Sequence, residues 1–299
     1  MIKKLLISCL IVLLLLMSAE IFLRKYYGFC DTVLMQSDSQ FEYIAQPNQN
    51  RFRFRKHVRY NEFSMRSEPI TQSDTSVILG FGDSVLNGGV QTEQDSLATY
   101  IIENKLNTDT EQKFRCLNIS AGSWGPDNCF AYLKKYGDFN AKLIFLVVSS
   151  HDAFDNMDFQ PVIDVDPSFP SKQSKWAIGE LLNRYLIPRL MAKKPENDHI
   201  VKGTSFNSGF MNLYNYTQSK NIPFFIYLHP DRKEVEENRY DEQGNAIIKF
   251  CNEQNITLIQ GLGIENPSCF RDDIHLNEHG QRVLAKSLLI PVKQRVVNE

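Results

Sequence analysis

Residue types that can perform nucleophilic catalysis occur in short polar segments, each of which follows an apolar run. One is a Gly-Asp-Ser tripeptide that ends at Ser84, directly after the apolar run Val77–Phe81. Another is Asp-x-x-His, which joins Asp272 to His275. A serine hydroxyl becomes a nucleophile when a base lies within hydrogen-bond reach and a third group orients that base. Ser84, His275 and Asp272 are therefore a candidate catalytic set, although Gly-Asp-Ser alone is equally typical of a helix cap.

Two further segments contain hydrogen-bond donors for a developing negative charge. Gly122 and Ser123 lie in a turn that precedes a predicted helix. His151 and Asp152 follow the apolar run Leu143–Ser149. Backbone N–H groups at a helix start and the N–H of a neutral imidazole both stabilise an oxyanion. These segments complete the donor set that an acyl-transfer reaction at a serine requires.

Apolar runs alternate with helical patterns from residue 76 onward, which predicts an α/β domain with three layers. We expect a doubly wound parallel sheet of about five strands, with helices on both faces. Right-handed crossovers place the loops after the strands on one common edge, where all four polar segments would meet. The predicted strands are Val77–Phe81, Phe114–Ile119, Leu143–Ser149, Pro223–Leu228 and Ile256–Gln260, and the predicted helices are Ser96–Leu106, Pro126–Tyr136, Trp176–Leu190, Phe206–Ser219, Asn245–Glu253 and Glu278–Leu289.

The order of these segments resembles the SGNH (GDSL-type) hydrolase family over about residues 76–290. The resemblance implies the flavodoxin-like SGNH hydrolase fold, serine esterase chemistry, and no metal or other cofactor. There is no Gly-x-Ser-x-Gly elbow, which argues against an ordinary α/β-hydrolase. The matching residues are Gly82, Asp83, Ser84 and Gly88 in the first block, Asn118 and Gly122 in the second, and Asp272, His275, Asn277 and Gly280 in the last.

The resemblance also implies a role for each candidate residue. Ser84 is expected to be the nucleophile, and His275 to remove its proton and return it to the leaving alcohol. Asp272 is expected to hold the imidazole in the required tautomer. The backbone N–H groups of Ser84 and Gly122 are expected to bind the oxyanion. Ser123 remains an alternative to Gly122, because the spacing within the second block allows either residue.

The third block departs from the family pattern at one position. Where the family has Gly-x-Asn-Asp, this chain reads Ser-Ser-His151-Asp152. We expect His151 to be the third oxyanion donor, since a neutral imidazole donates one N–H. Histidine titrates near neutral pH, so this donor would make activity depend on pH. Two alternatives are less favoured. In one, His279 is the base. In the other, a metal is held by His151, Asp152, Asp272 and His275, and this metal site would leave the serine unexplained.

Residues 1–25 form an apolar segment with basic flanks. Lys3 and Lys4 precede an apolar run that extends to Leu23. This pattern predicts an export signal or an uncleaved membrane helix. The candidate cleavage site has Met17 at the −3 position, where a small residue is preferred, so the uncleaved helix is favoured. We expect a membrane-anchored protein whose catalytic domain is extracytoplasmic, in the periplasm or at the cell surface.

Residues 26–75 form a polar leader in which basic and aromatic side chains interleave between Arg51 and Tyr60. Such interleaving is typical of a nucleic-acid or membrane surface, or of a two-sided strand. The chain has 33 Lys and Arg against 35 Asp and Glu, which argues against nucleic acid as a partner. We therefore expect a strand or collar that packs on the catalytic domain, residues 76–292. The 6 cysteines are scattered without a Cys-x-x-Cys pair, which excludes a zinc site of that type.

These patterns lead to a functional hypothesis with two alternatives. The favoured function is hydrolysis of acyl esters, with acetyl esters of a carbohydrate or cell-envelope glycan as the expected substrate. An O-acetyltransferase of polysaccharide would use the same site with a sugar as acceptor. A non-catalytic binding module with the same fold is the third hypothesis, and the histidine at position 151 is its only support. The oligomeric state is not determined by the sequence.

Overall fold

The computed structural model describes residues 1–71, 76–191, 203 and 205–297. It begins with an apolar helix, α1 (Ile2–Tyr27), none of whose side chains is buried. Within the described residues, α1 alone is long and apolar enough to cross a membrane, a property that a signal sequence shares. Gly28 ends the helix with φ of 69°, a left-handed conformation that glycine adopts without strain.

Two antiparallel hairpins follow within the leader, whose last four residues lie outside the described residues. Strand β1 (Met35–Asp38) pairs with β2 (Glu42–Ala45), and β3 (Gln49–Arg53) pairs with β4 (Lys56–Tyr60). Phe41 of the leader belongs to a buried apolar cluster that also contains the side chains on one face of the central sheet. The leader and the α/β region therefore share one hydrophobic core.

The central element is a five-stranded sheet in which every pairing is parallel. The strand order is β6-β5-β7-β8-β9, which is the flavodoxin-like order 2-1-3-4-5. The predicted doubly wound parallel fold is thus confirmed. The strands are β5 (Ser76–Gly82), β6 (Phe114–Ser120), β7 (Leu143–Ser149), β8 (Phe224–His229) and β9 (Thr257–Gln260).

Helices cover both faces of this sheet. The apolar cluster on one face includes residues of the hairpins, α4, α7 and α9, and the cluster on the other face includes residues of α3 and α10. The helices are α2 (Ser84–Asn87), α3 (Ala98–Asp109), α4 (Pro126–Tyr136), α5 (Ala177–Glu180), a π-helical turn (Leu181–Leu186) continuing into α6 (Ile187–Met191), α7 (Gly209–Lys220), α8 (Arg232–Glu237), α9 (Glu242–Glu253) and α10 (Glu278–Val296). Short 3₁₀ turns span Gly89–Gln91, Gln94–Ser96, Ser150–Ala153 and Pro267–Cys269.

Candidate active site

Ser84 is the first residue of α2, a single helical turn that begins at the carboxyl end of β5. The preceding Asp83 is buried, and its Oδ1 accepts a hydrogen bond from the Val85 N–H at 2.8 Å. Its Oδ2 accepts a bond from the Ser149 hydroxyl at 3.4 Å, at the end of the neighbouring strand. Asp83 therefore fixes the turn that presents Ser84. This turn lies where the strand order of the sheet reverses, which is the place where α/β sheets bind ligands.

Two arginines hold the loop that follows α2. Arg66 of the leader is fully buried and donates to the carbonyl oxygens of Asn87, Gly89 and Thr92. Arg271 donates to another carbonyl of the same loop at 3.1 Å. Burial lowers the pKa of Arg66 to about 10. Because the partners of Arg66 are backbone carbonyls, no sequence pattern identifies it as part of the site.

Asp272 and His275 form a hydrogen-bonded pair in the loop before α10. The Nδ1 atom of His275 lies 2.9 Å from Oδ2 of Asp272. Oδ1 of Asp272 accepts the backbone N–H groups of His275 at 2.7 Å and Ile274 at 3.1 Å. Burial raises the pKa of Asp272, but these backbone bonds and the imidazole outweigh burial and lower it. The carboxylate is thus held ionised, with the Nε2 atom of His275 left as the proton acceptor.

Ser84 and His275 line the same two cavities, of about 400 and 300 Å³. Gly122, Ser168 and Phe169 line both cavities as well, so the two spaces meet at the candidate catalytic residues. Within the described residues no hydrogen bond joins the Ser84 hydroxyl to the imidazole, and such bonds are often loose before substrate binds. His279, the alternative base, instead lines a separate depression on the protein surface.

His229 supports the loop that carries His275, and it was not expected from the sequence. It is buried at the end of β8, with Nε2 at 2.8 Å from the Ile274 carbonyl oxygen and Nδ1 at 2.9 Å from Glu265. A carbonyl and a carboxylate both accept hydrogen bonds, so this pair of partners favours an imidazolium that donates from both ring nitrogens. Burial lowers the pKa of His229, but Glu265 and the carbonyl outweigh burial and raise it.

We expect His229→Gln to destabilise the protein most at acidic pH. The raised pKa means that the imidazolium stabilises the fold fully below the unfolded-state value of about 6.5, and that this contribution is lost as the pH rises through the folded-state pKa. Thermal unfolding of both proteins across this range measures the effect. His57→Gln is the control, because His57 is exposed. A difference in Tm that grows with pH would contradict a charged His229.

The turn at Gly122 and Ser123, which contains candidate oxyanion donors, is held by hydrogen bonds to the leader. The hydroxyl of Tyr43 donates to the carbonyl oxygen of Gly122 at 2.9 Å, and the indole N–H of Trp124 donates to the Tyr43 carbonyl at 2.9 Å. Both side chains are buried. Within the described residues the N–H of Gly122 has no hydrogen-bond partner and remains available to a ligand. The Tyr43 bond holds the Gly122–Ser123 peptide, which directly follows this N–H in the loop.

For the ester hydrolysis that the sequence predicts, we expect Tyr43→Phe to lower kcat by about tenfold with little change in KM. Complete loss of one oxyanion donor costs about 10²–10³ in kcat, and this substitution only loosens a donor. Steady-state kinetics separates the two parameters. Tyr132→Phe is a matched control, because the buried Tyr132 hydroxyl donates to the Phe63 carbonyl at 2.6 Å. An equal loss of kcat in both variants would point to general destabilisation.

His151 does not line either cavity that contains Ser84. Its Nε2 lies 3.6 Å from Oδ1 of the buried Asp152. Burial lowers the pKa of His151, which favours the neutral ring. Burial, followed by the nearby Asp83, raises the pKa of Asp152. The role of His151 as an oxyanion donor remains a prediction.

The sequence offered a metal held by His151, Asp152, Asp272 and His275 as an alternative. The structure groups possible metal ligands differently. Ligand atoms of Asp83, His151 and Asp152 lie within 4.8 Å of one another. Asp272 and His275 are not part of this group. Since the Asp83 carboxylate already accepts the Val85 N–H and the Ser149 hydroxyl, its hydrogen bonds are explained without an ion.

The larger cavity has an acidic wall. Glu42, Asp155, Asp158 and Asp166 all line it beside the candidate catalytic residues. Burial, together with the neighbouring Asp127 and Glu42, raises the pKa of Asp155 to about 7. Carboxylates accept hydrogen bonds from hydroxyl groups, whereas they repel an anionic ligand. The electrostatics of this wall therefore favour a neutral or cationic polyhydroxylated ligand over an acidic one.

Several solved structures are similar to this chain. An acetyl xylan esterase is 16% identical with a TM-score of 0.46, and the match covers 72% of this chain and 99% of the esterase. A carbohydrate acetylesterase family member from Sinorhizobium meliloti is 12% identical, with a TM-score of 0.42 and coverage of 74% and 99%. A putative lipolytic protein of the G-D-S-L family from Desulfitobacterium hafniense is 9% identical, with a TM-score of 0.43 and coverage of 72% and 99%.

In comparisons of sequence, no family model and no curated protein matches the chain.

Proposed function

We propose that this protein is a serine esterase that removes acyl groups, acetyl in particular, from a carbohydrate through an acyl-enzyme intermediate. One observation carries the proposal. Ser84 lines the same cavities as His275, whose ring is oriented through Nδ1 by Asp272. A hydroxyl, an oriented base and the unpartnered N–H of Gly122 are the parts that acyl transfer requires.

The proposed reaction has two similar halves. In the first, Nε2 of His275 takes the Ser84 hydroxyl proton while Oγ attacks the ester carbonyl carbon. The N–H groups of Ser84 and Gly122 hold the resulting oxyanion. Collapse of the tetrahedral intermediate breaks the ester C–O bond, and His275 gives its proton to the departing alcohol. In the second half, water attacks the carbonyl carbon of the acyl-enzyme in place of the serine hydroxyl. A carboxylic acid and free Ser84 are formed.

The acidic wall supports an uncharged glycan as the substrate. In the proposed complex the carboxylates of Asp155 and Asp158 accept hydrogen bonds from sugar hydroxyls. An acetylated uronic acid polymer would bring like charges together at this wall. Release of acetate from an acetylated neutral polysaccharide and from an acetylated polyuronate compares the two classes. Faster release from the polyuronate would overturn this choice of substrate.

We also propose that α1 anchors the protein in a membrane, with the catalytic domain outside the cytoplasm. The 26 residues of α1 have a mean hydropathy of 2.7 in their apolar window and no buried side chain. About 20 apolar residues suffice to span a bilayer. Fractionation of cells that produce the full chain, followed by protease treatment of intact spheroplasts, tests both the anchoring and the side on which the domain lies.

A fluorophosphonate probe tests the catalytic proposal directly. Such a probe phosphonylates a serine only when the serine is activated by its surroundings. We expect labelling of the folded protein at Ser84 and loss of labelling after unfolding, with mass spectrometry locating the adduct. An unlabelled, folded protein would remove the support for an esterase and favour a non-catalytic binding module.

A second candidate is an O-acetyltransferase, which the paired cavities favour. Two spaces that meet at Ser84 and His275 would accommodate a donor ester on one side and an acceptor sugar on the other. The acyl-enzyme would then be attacked by a sugar hydroxyl instead of water. Measuring free acetate against acetylated sugar, with a labelled acetyl donor and an added glycan, distinguishes the two reactions.

A further inference from the structure

An apolar stripe is exposed on the helix formed by α5, the π-helical turn and α6, here called the 177–191 helix. Leu182, Leu186 and Leu190 are 43%, 42% and 84% exposed, and they are spaced four residues apart, which places them on one side of the helix. Trp176 is 69% exposed immediately before the helix begins. Large apolar side chains grouped in this way on a surface indicate a binding partner.

The 177–191 helix is bonded directly to the proposed membrane anchor. Glu20 of α1 accepts hydrogen bonds from the N–H groups of Ala177 at 2.8 Å and Ile178 at 3.0 Å. Arg24 pairs with Glu20 at 2.6 Å and donates to the Lys175 carbonyl. Glu20 thus caps the first turn of another helix, which explains an acidic residue within an otherwise apolar segment. These bonds fix the 177–191 helix beside the last turns of α1.

The same end of α1 has the side chains that favour a membrane interface. Phe22, Tyr26 and Tyr27 contact one another through their rings, with centroids 4.9 to 5.7 Å apart. Tyrosine and tryptophan are enriched where hydrocarbon meets the lipid headgroups. An anchor inserted up to this aromatic cluster would bring the neighbouring Trp176 to the same level.

Positive charge accompanies the apolar stripe. Lys172, Lys175 and Arg189 are all exposed along this edge of the molecule. Arg184 is turned inward instead, where it lies 3.7 Å from the buried Glu180. Exposed basic residues next to an apolar helix are complementary to anionic lipid headgroups.

We propose that residues 172–191 lie on the surface of the bilayer that holds α1, and that the partner of this surface is an anionic lipid membrane. Trp176, Leu182, Leu186 and Leu190 enter the boundary between headgroups and acyl chains, and the basic side chains contact lipid phosphates. The proposal rests on the proposed anchoring by α1 and is independent of the ester chemistry.

The contact has a consequence for the candidate active site. Phe169 lines both cavities, and the adjacent Pro170 accepts the Met35 N–H at 2.8 Å. The chain runs from Phe169 to Trp176 in seven residues. A membrane-bound 177–191 helix therefore holds the rim of the site at a fixed position relative to the bilayer, in addition to the single attachment that α1 supplies.

Tryptophan fluorescence tests the proposal, because the chain has only 2 tryptophans and they differ in exposure. Trp124 is 1% exposed and Trp176 is 69% exposed. The full chain is placed in nanodiscs of anionic lipid, with one copy in each disc. The acyl chains of the lipid are either unlabelled or brominated. We expect bromine near the headgroups to quench the Trp176 emission. Trp176→Phe is the control, since its remaining emission from Trp124 should be unaffected.

The outcomes separate this proposal from the others. Absence of quenching in protein that is retained by the discs would show that α1 is inserted while the 177–191 helix stays off the bilayer, and would overturn the proposal. Protein that is not retained would overturn the anchoring on which it rests. Quenching that is lost when a second copy is present in the same disc would identify another chain as the occupant and would also overturn the proposal. Fluorophosphonate labelling of Ser84 in the same discs reports independently on catalysis.

Leu190→Asp provides a second readout. Leu190 is the most exposed member of the stripe and lines none of the cavities that contain Ser84. We expect this variant to retain its fold and its labelling at Ser84 but to show reduced quenching of Trp176. Unchanged quenching in Leu190→Asp would place Leu190 outside the bilayer and contradict the proposed orientation of the helix.

Discussion

Ser84→Ala is expected to lower kcat for hydrolysis of an aryl acetate by about 10⁴- to 10⁶-fold, because it removes the atom that forms the acyl-enzyme. The residual activity would come from the oxyanion donors and from substrate binding alone. The Ser84 side chain makes no hydrogen bond within the described residues, so the substitution should leave the stability unchanged. Kinetics with a purified, folded variant, together with thermal unfolding, measures both quantities.

A remote serine provides the control for this experiment. Ser287 lies on α10, where its hydroxyl donates to the Val283 carbonyl at 3.0 Å, and it lines neither cavity. Ser287→Ala should keep full activity and full labelling by the fluorophosphonate. If Ser84→Ala retained more than about a tenth of the wild-type kcat, Ser84 would not be the nucleophile, and an acyl-enzyme on Ser84 would be excluded for both proposed reactions.

Asp272→Asn should lower kcat by about 10⁴-fold through the tautomer of His275. Oδ1 of Asp272 accepts the N–H groups of Ile274 and His275, so an asparagine must place its carbonyl oxygen there. Its NH₂ group would then face Nδ1 of the imidazole. Nδ1 must accept that bond, which moves the ring proton to Nε2, the atom that has to accept the proton of Ser84. The geometry would survive, but the base would be in the wrong tautomer.

Coupling to the nucleophile distinguishes this mechanism from a structural defect. The double variant with Ser84→Ala should be no slower than Ser84→Ala alone, since residues that act as one unit are strongly non-additive. Arg271 contacts Asp272 at 3.6 Å, so Arg271→Lys controls for a change in the geometry of this ion pair while the charge beside the carboxylate is kept. A similar drop of kcat in Arg271→Lys, or additive effects in the double variant, would contradict the tautomer explanation.

The parts of the fold that were predicted correctly are those whose hydrophobic pattern is local. β7 and α4 have the bounds expected from the sequence, Leu143–Ser149 and Pro126–Tyr136. A continuous apolar run and a helical repeat that begins with proline identify these elements without reference to the rest of the chain. α10, in contrast, continues past the predicted end and past Pro291 to Val296, because Leu288, Val292 and Val296 are buried on one face.

The leader shows what a local pattern misses. Interleaved basic and aromatic residues indicated a strand or collar, and the chain forms the β3–β4 hairpin there. Arg53 is a fully buried residue of β3. Its guanidinium lies 4.4 Å from the ring centroid of Phe29 and 4.6 Å from that of Phe54, and it pairs with Glu180 at 2.6 Å. Its partner lies 127 residues away in the sequence. No spacing rule connects two residues that meet only when the chain is folded.

The sequence by itself determined the kind of sheet and named Ser84, Asp272 and His275, because each belongs to a short motif beside an apolar strand. Only the tertiary structure decided that Tyr43 holds the Gly122 peptide and that His229 supports the loop of His275. These contacts join segments that are far apart in the chain, and several end on backbone carbonyls. A carbonyl is present at every residue, so its identity as a partner is set by the fold and carries no signature in the sequence.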